Sequence, residues 1–214
     1  MAPLEFEVEV RETVKIHAPP HESKLLPRGP LDQFSVPHND IPAIWFYEQK
    51  LDFKQLQESL LRIIAHFQYL CGRLVFNEGQ PTDFISNNEG FPFSYAYAPK
   101  VSVKDFNFET SISSWKEFSK LLFRTESSST HPMISIQLTE FENGGCAISI
   151  CVLHCIFDAC AMINFFSLWA KENRLESLEY QVEIDASILY KGKKVLKFYF
   201  ILFYFILFYF ILFY

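Results

Sequence analysis

Basic charge is scarce in this chain and thinly spread. Across 214 residues, 25 acidic side chains stand against 19 basic ones, for a formal charge of -6, and the one basic cluster is Lys191, Lys193, Lys194 and Lys197. Binding along a phosphate backbone needs a concentrated positive face, so nucleic acid is excluded as a partner. The opening residues, Met1-Ala2-Pro3-Leu4-Glu5-Phe6-Glu7-Val8, lack both the basic start and the apolar run of a signal peptide, and a cytoplasmic location is expected. Paired C-x-x-C spacings are also missing. The five cysteines, Cys71, Cys146, Cys151, Cys155 and Cys160, are odd in number and lie in apolar segments, which fits reduced, buried thiols rather than a disulfide framework. Cys151, His154, Cys155, Asp158 and Cys160 crowd together without the spacing of a zinc site, so no metal is expected. There is no G-x-S-x-G elbow, which argues against a hydrolase built on that nucleophile.

Apolar residues, by contrast, make up half of the chain, enough for a substantial core. They are concentrated at the end, where residues 198–214 read FYFIL three times and then FY, with no polar group at any position. A period of five matches neither helix nor strand, and 17 residues fall short of the roughly 20 of a membrane span. The genetic code accounts for it better. A TTTTA repeat read in triplets gives TTT TAT TTT ATT TTA, which is Phe-Tyr-Phe-Ile-Leu, and the cycle closes. The expectation is a domain over residues 1–190 and, over 191–214, a low-complexity tail translated from a non-coding repeat. The alternative is a short C-terminal anchor behind the lysine cluster, and a membrane is a partner only in that case.

Along the rest of the chain, Phe6, Val8, Val10, Val14 and Ile16 alternate as a first strand over 5–16, and the prolines at 19, 20, 27 and 30 with Gly29 predict an irregular crossing. A strand is expected over Ala43–Tyr47. A helix follows, with Phe53, Leu56, Leu60, Ile63, Ile64 and Phe67 on one face and Asp52 as its cap. Asn77 to Pro81 and Asn87 to Gly90 read as turns on either side of an extended Asp83–Ser86. A weaker amphipathic pattern over 101–122 places Trp115, Phe118, Leu121 and Leu122 on a helix. Then Ile134, Ile136 and Leu138 alternate, Glu142-Asn143-Gly144-Gly145 turns, and Ala147–Leu153 forms a nearly all-apolar, buried strand. His154-Cys155-Ile156-Phe157-Asp158 follows, and Ala159–Lys171 is a helix with Met162, Phe165, Phe166 and Trp169 as its core stripe. Trp45, Trp115 and Trp169 read as core residues.

A histidine and an aspartate thus stand where a buried strand ends and a helix begins. Alone, the spacing is common, and Asp158 has an ordinary reading as a helix cap. The chemical reading asks for a histidine held at a strand end, free to take a proton from a hydroxyl or amine; an imidazole with its ordinary pKa of roughly 6.5 suits that at neutral pH.

The surroundings of the pair are similar to those in the BAHD acyltransferases, plant enzymes that move an acyl group from a CoA thioester to an alcohol or amine. Leu31-Asp32-Gln33 resembles an early segment of that family, and Tyr69-Leu70-Cys71-Gly72-Arg73-Leu74 resembles its FYPLAGRL helix end. Val152 to Ala159 resembles its H-x-x-x-D-G box, Phe165 to Ala170 the F-x-x-x-W-A helix, and Ile184 to Leu189 the F-D-x-S-x-L segment. The resemblance implies an α/β fold, here a single chloramphenicol-acetyltransferase-like domain with a mixed sheet flanked by helices and the second domain missing. It implies acyl-CoA as cosubstrate, no bound cofactor, and a small alcohol or amine acceptor. It makes His154 the general base and Asp158 a structural support paired with an arginine. A peptide-synthetase condensation domain is the other enzyme of this superfamily weighed, but Leu153-His154 stands where that class carries two histidines.

Two departures matter. Ala159 replaces the glycine after the aspartate, which is costly only where positive φ or a close backbone approach is required. The family's D-F-G-W-G motif does not occur, and the resemblance fades after Tyr190, so the chain as written is expected to have little activity. A non-catalytic truncated relic, or a fragment that binds a partner such as the full-length enzyme, is the non-enzyme reading, with exposed apolar surface favouring association.

Overall fold

The computed structural model describes residues 6–27, 40–78, 80–106, 118 and 128–177. Strands make up most of its regular structure. They are β1 (Glu9–Ile16), β2 (Lys24–Pro27), β3 (Asp40–Tyr47), β4 (Arg73–Asn77), β5 (Gln80–Ser86), β6 (Phe91–Ala98), β7 (Ile134–Phe141) and β8 (Cys146–Leu153). Two helices join them, α1 (Phe53–Ile63) and α2 (Ala159–Asn173). Asp52 caps α1 by accepting the Gln55 N–H at 2.8 Å. Beyond Ile63 the apolar spacing continues, but the backbone tightens into short 3-10 turns over Ile64–His66 and Gln68–Cys71. Ile64, Phe67 and Leu70 keep their buried places there.

The strands form two sheets, in the order β1-β6-β7-β8-β3 and β2-β5-β4. In the larger sheet β6 and β7 run parallel and the other neighbours antiparallel. The sheet is therefore mixed, with a long crossover between β6 and β7 as a parallel pair requires. Gly144 and Gly145 close the β7–β8 hairpin at φ +114° and +85°, and a Cβ on Gly145 would lie 2.6 Å from the Tyr47 carbonyl oxygen. Glycine is needed there on both counts.

One face of the large sheet carries α1 and α2. Phe93, Ile136, Leu138, Ile148, Ile150 and Val152 meet Phe53, Leu56, Leu60, Met162, Phe165 and Trp169 in one cluster. The Trp169 indole N–H donates to Ser59 Oγ at 3.0 Å and the Leu56 carbonyl at 3.3 Å, locking the two helices together. On the opposite face Ala98, Phe106, Phe118, Phe141 and Ala147 make a second cluster, joined by Phe6, Val8, Ile44 and Phe46.

Three local expectations need correction. A short strand, β2, lies within the proline-rich crossing, because Pro27 stands at its last position and β2 is an edge strand, where a missing N–H costs little. The segment Phe91–Ala98 is a strand, paired with β1 from Phe91 and with β7 only from Phe93, so Pro92 leaves no donor missing on the β7 side. On α2 the buried stripe is Met162, Phe165, Leu168 and Trp169, while Phe166 is only half-buried and stacks on Trp45 with centroids 3.8 Å apart. Most of the 101–122 segment, including Trp115, and the segments 31–33, 184–189 and 191–214 lie outside the described residues.

The approach to α1 is tied to β7 by charge. Lys50 Nζ reaches Glu140 Oε1 at 2.6 Å, and Tyr95 Oη donates to Glu140 Oε2 at 2.7 Å. The Lys50 bond above all, then the Tyr95 hydroxyl, holds the Glu140 carboxyl below the usual carboxylate range against the opposing effect of burial. A carboxyl whose folded pKa is depressed contributes stability above its unfolded pKa and loses it as pH falls through the folded one. Urea melts of Glu140→Gln should show a shallower loss of stability than the parent between about pH 5 and pH 3. Identical acid-side slopes would remove Glu140 as a source of the pH dependence.

Candidate functional site

The site begins where β8 stops. All eight residues of β8 are buried, with β7 on one side and β3 on the other. Its last rung toward β7 is the Leu153 N–H to the Met133 carbonyl, 3.0 Å. The chain then turns on the Leu153 carbonyl, which accepts the N–H groups of Ile156 at 3.0 Å and Phe157 at 3.3 Å. Through this turn Leu153, Cys155 and Phe157 are buried, whereas His154 and Asp158 are exposed. Leu153 and Cys155 pack with Leu74 and Met133, and Phe157 packs against Phe165 and Tyr69. Burial on both sides of His154 fixes the backbone that carries it and directs the imidazole outward. Among the described residues no hydrogen bond ties up either ring nitrogen of His154, so both remain available to a ligand.

Asp158 is the N-cap of α2. Its backbone is extended, at φ -88° and ψ 177°, and Oδ1 accepts the Ala161 N–H at 2.7 Å. Its carbonyl accepts the Met162 N–H at 3.0 Å, the first turn of the helix proper. The aspartate therefore fixes the point at which the turn becomes helix, and the negative charge sits at the favourable end of the helix dipole. No arginine reaches it among the described residues. Ala159 opens α2 in helical conformation and is exposed, so the glycine usual in the resembled box is not demanded by backbone shape here.

The cysteines divide. Cys71, Cys146, Cys151 and Cys155 are buried, and all five are free thiols. Burial pushes the Cys71 and Cys146 thiols up to about 11, which keeps them protonated and unreactive. Cys160 departs from the expectation of a buried thiol: it is exposed on the first turn of α2, because the stripe that faces the sheet starts at Met162.

The strand, turn and helix that carry His154 and Asp158 lie within a longer stretch of sequence that matches known proteins. The Transferase family profile matches residues 5–199. The chain belongs to this family, the BAHD acyltransferases. Akuammiline synthase 2 of Alstonia scholaris is 31% identical over 206 residues, covering 89% of this chain and 44% of that protein. The hydroxycinnamoyl-CoA:5-hydroxyanthranilate N-hydroxycinnamoyltransferase HHT1 of Avena sativa is 25% identical over 163 residues, covering 72% and 37% respectively. Among solved structures, vinorine synthase superposes with a TM-score of 0.69 at 22% identity, over 84% of this chain and 46% of that one, a likeness of fold. The chain spans less than half the length of each of these BAHD relatives.

If the Asp158 carboxylate acts as a cap, Asp158→Ala should lower stability in denaturant melts by about 1 kcal/mol, and Asp158→Asn by much less. Equal losses in the two variants would point to the charge, not the cap, as what the position needs.

Proposed function

We propose that this chain carries the base-bearing half of an acyl-CoA-dependent acyltransferase of plant specialised metabolism, working in the cytosol on a small alcohol or amine. The observation that carries the reading is the open imidazole of His154, held by buried neighbours on both sides at the end of a buried strand, in a member of a transferase family. In the reaction a ring nitrogen of His154 takes the proton from the acceptor O–H or N–H while the acceptor attacks the thioester carbonyl. The new C–O or C–N bond forms, the C–S bond breaks, and the imidazolium returns the proton to the departing CoA sulfur. General base catalysis of this kind supplies about 10²- to 10⁴-fold in rate. Holding acceptor and thioester together supplies much of the remainder. Asp158 touches no reacting atom; it sets the end of the turn and so the place of His154. The Avena sativa relative, named for a hydroxycinnamoyl-CoA donor and an amine acceptor, supports acyl-CoA as the cosubstrate.

A second reading has its own support. Because this chain spans less than half the length of the matched relatives, acting alone it would be a non-catalytic fragment that binds a partner. Release of CoA thiol from hydroxycinnamoyl-CoA and malonyl-CoA, followed with a panel of alcohols and amines, separates the two. Transfer that falls at least about 100-fold in His154→Ala supports the base. A wild-type rate in His154→Ala would sink that assignment, and no transfer from the unaltered chain would favour the partner-binding fragment.

A further inference from the structure

Among the described residues, the segment Tyr69-Leu70-Cys71-Gly72-Arg73-Leu74 holds, at the start of β4 in the small sheet, a charged side chain that burial should forbid. Arg73 is 5% exposed, among apolar neighbours Leu70, Cys71 and Leu74. A cation in that place has to be met by oxygens. Its Nη1 donates to the Gly72 carbonyl at 2.7 Å and to the Gly90 carbonyl at 2.9 Å, and its Nε donates to the Thr130 carbonyl at 3.1 Å. One carboxylate, Glu89 Oε2, approaches Nε at 3.3 Å from a half-exposed position. The guanidinium thus joins three stretches of chain: the start of β4, the turn between β5 and β6, and the turn that leads into β7. A planar fork aimed in several directions can do this; a lysine ammonium, donating from one point, cannot reach all of them.

Both ends of this clamp lead to the histidine. From Thr130 the chain runs through Met133, whose carbonyl takes the Leu153 N–H, one residue before His154. From Arg73 itself, the next residue, Leu74, is buried in the same cluster as Met133, Leu153 and Cys155, the residues that flank His154. The preceding glycine is required too: a Cβ on Gly72 would collide with the Ile85 carbonyl oxygen across the β4–β5 pair. Leu74, with the half-buried Phe76 and Phe84 of the small sheet, packs on the turn residues Leu153, Cys155 and Ile156.

We propose that Arg73 is a positioning residue for His154, fixing the 153–157 turn through the Thr130–Met133 segment and through Leu74. The proposal rests on the reading of His154 as the base only for its consequence in catalysis; the positioning itself is measurable without turnover. The test compares the full chain with Arg73→Lys and Arg73→Ala by site-resolved hydrogen exchange, and by the rate at which diethyl pyrocarbonate modifies His154 relative to the exposed His66 on the helix side. In Arg73→Lys the Leu153 amide should exchange about tenfold faster while the amides of α1 keep their rates. The His154 modification rate should change against His66. Exchange that rises equally in α1 and at Leu153 would show a merely structural arginine and overturn the proposal, as would an unchanged Leu153 amide. Should Arg73→Ala fail to fold, Arg73→Lys decides alone. A loosened turn in a chain that shows no His154-dependent transfer would leave the positioning standing and remove only the base.

Discussion

The bond from the Leu153 N–H to the Met133 carbonyl is the constraint on which the site depends. It is the last rung between β7 and β8, and it decides where sheet becomes turn. β8 cannot slide to a different end point. It is paired on both sides, and a shift of one residue would exchange Ile148, Ile150 and Val152, which face the helices, for Ala147, Ser149 and Cys151, which face the other way. With the strand fixed, the residue after its end is fixed as well, and that residue is His154. The helix then fixes the turn from the other side, because Asp158 caps α2 only if the chain arrives extended. A histidine on a surface loop would wander over several ångströms; this one is held between a buried strand and a capped helix.

Much of this was legible in the amino acids because several local signals agree. The β7–β8 hairpin shows alternation on one side, an apolar run on the other, and a double glycine between them, and each of these follows from backbone sterics or burial. The Asp52 and Asp158 caps were readable for the same reason: an aspartate before an apolar period has one good use in each place. β6 was not readable, since Phe-Pro-Phe-Ser-Tyr-Ala-Tyr-Ala mixes apolar residues on both faces and contains a proline; it takes the existence of β1 and β7 to make it a strand. The stripe on α2 was misread at Phe166 because the helix is apolar nearly all round, so periodicity could not choose between Phe166 and Leu168. The task of Arg73 does not follow from the motif that contains it. The available signal was a lone cation inside the apolar run Leu70 to Phe76, which implies backbone carbonyls converging on it.

The exposure of His154 has a further consequence for how the chain can work. A base acting on an acyl-transfer site gains from exclusion of water, which strengthens local electrostatics and protects the thioester from hydrolysis. Here the protein covers the backbone around the histidine thoroughly and leaves the ring open. The two requirements are met by different parts of a molecule: position comes from the strand, the turn and the helix described here, and dryness has to come from whatever closes over the imidazole. The curated relatives, of whose length this chain spans less than half, have the material for such a cover.

The division of labour between His154 and Asp158 follows from the same geometry. Four residues apart in sequence, they invite comparison with a histidine oriented by a carboxylate, in which the acid would hold one ring nitrogen while the other takes the proton. No such bond joins the two among the described residues. Cys155 and Phe157 both plunge into the core, and the Asp158 Oδ1 is committed to the Ala161 N–H at the start of α2. The backbone that carries the imidazole is placed by packing, through Leu153, Cys155, Met133 and Leu74, and among the described residues no side-chain hydrogen bond holds the ring. Control of where the ring sits therefore lies in the cluster behind it, and a change to a buried apolar residue in that cluster can move His154 without touching either member of the motif.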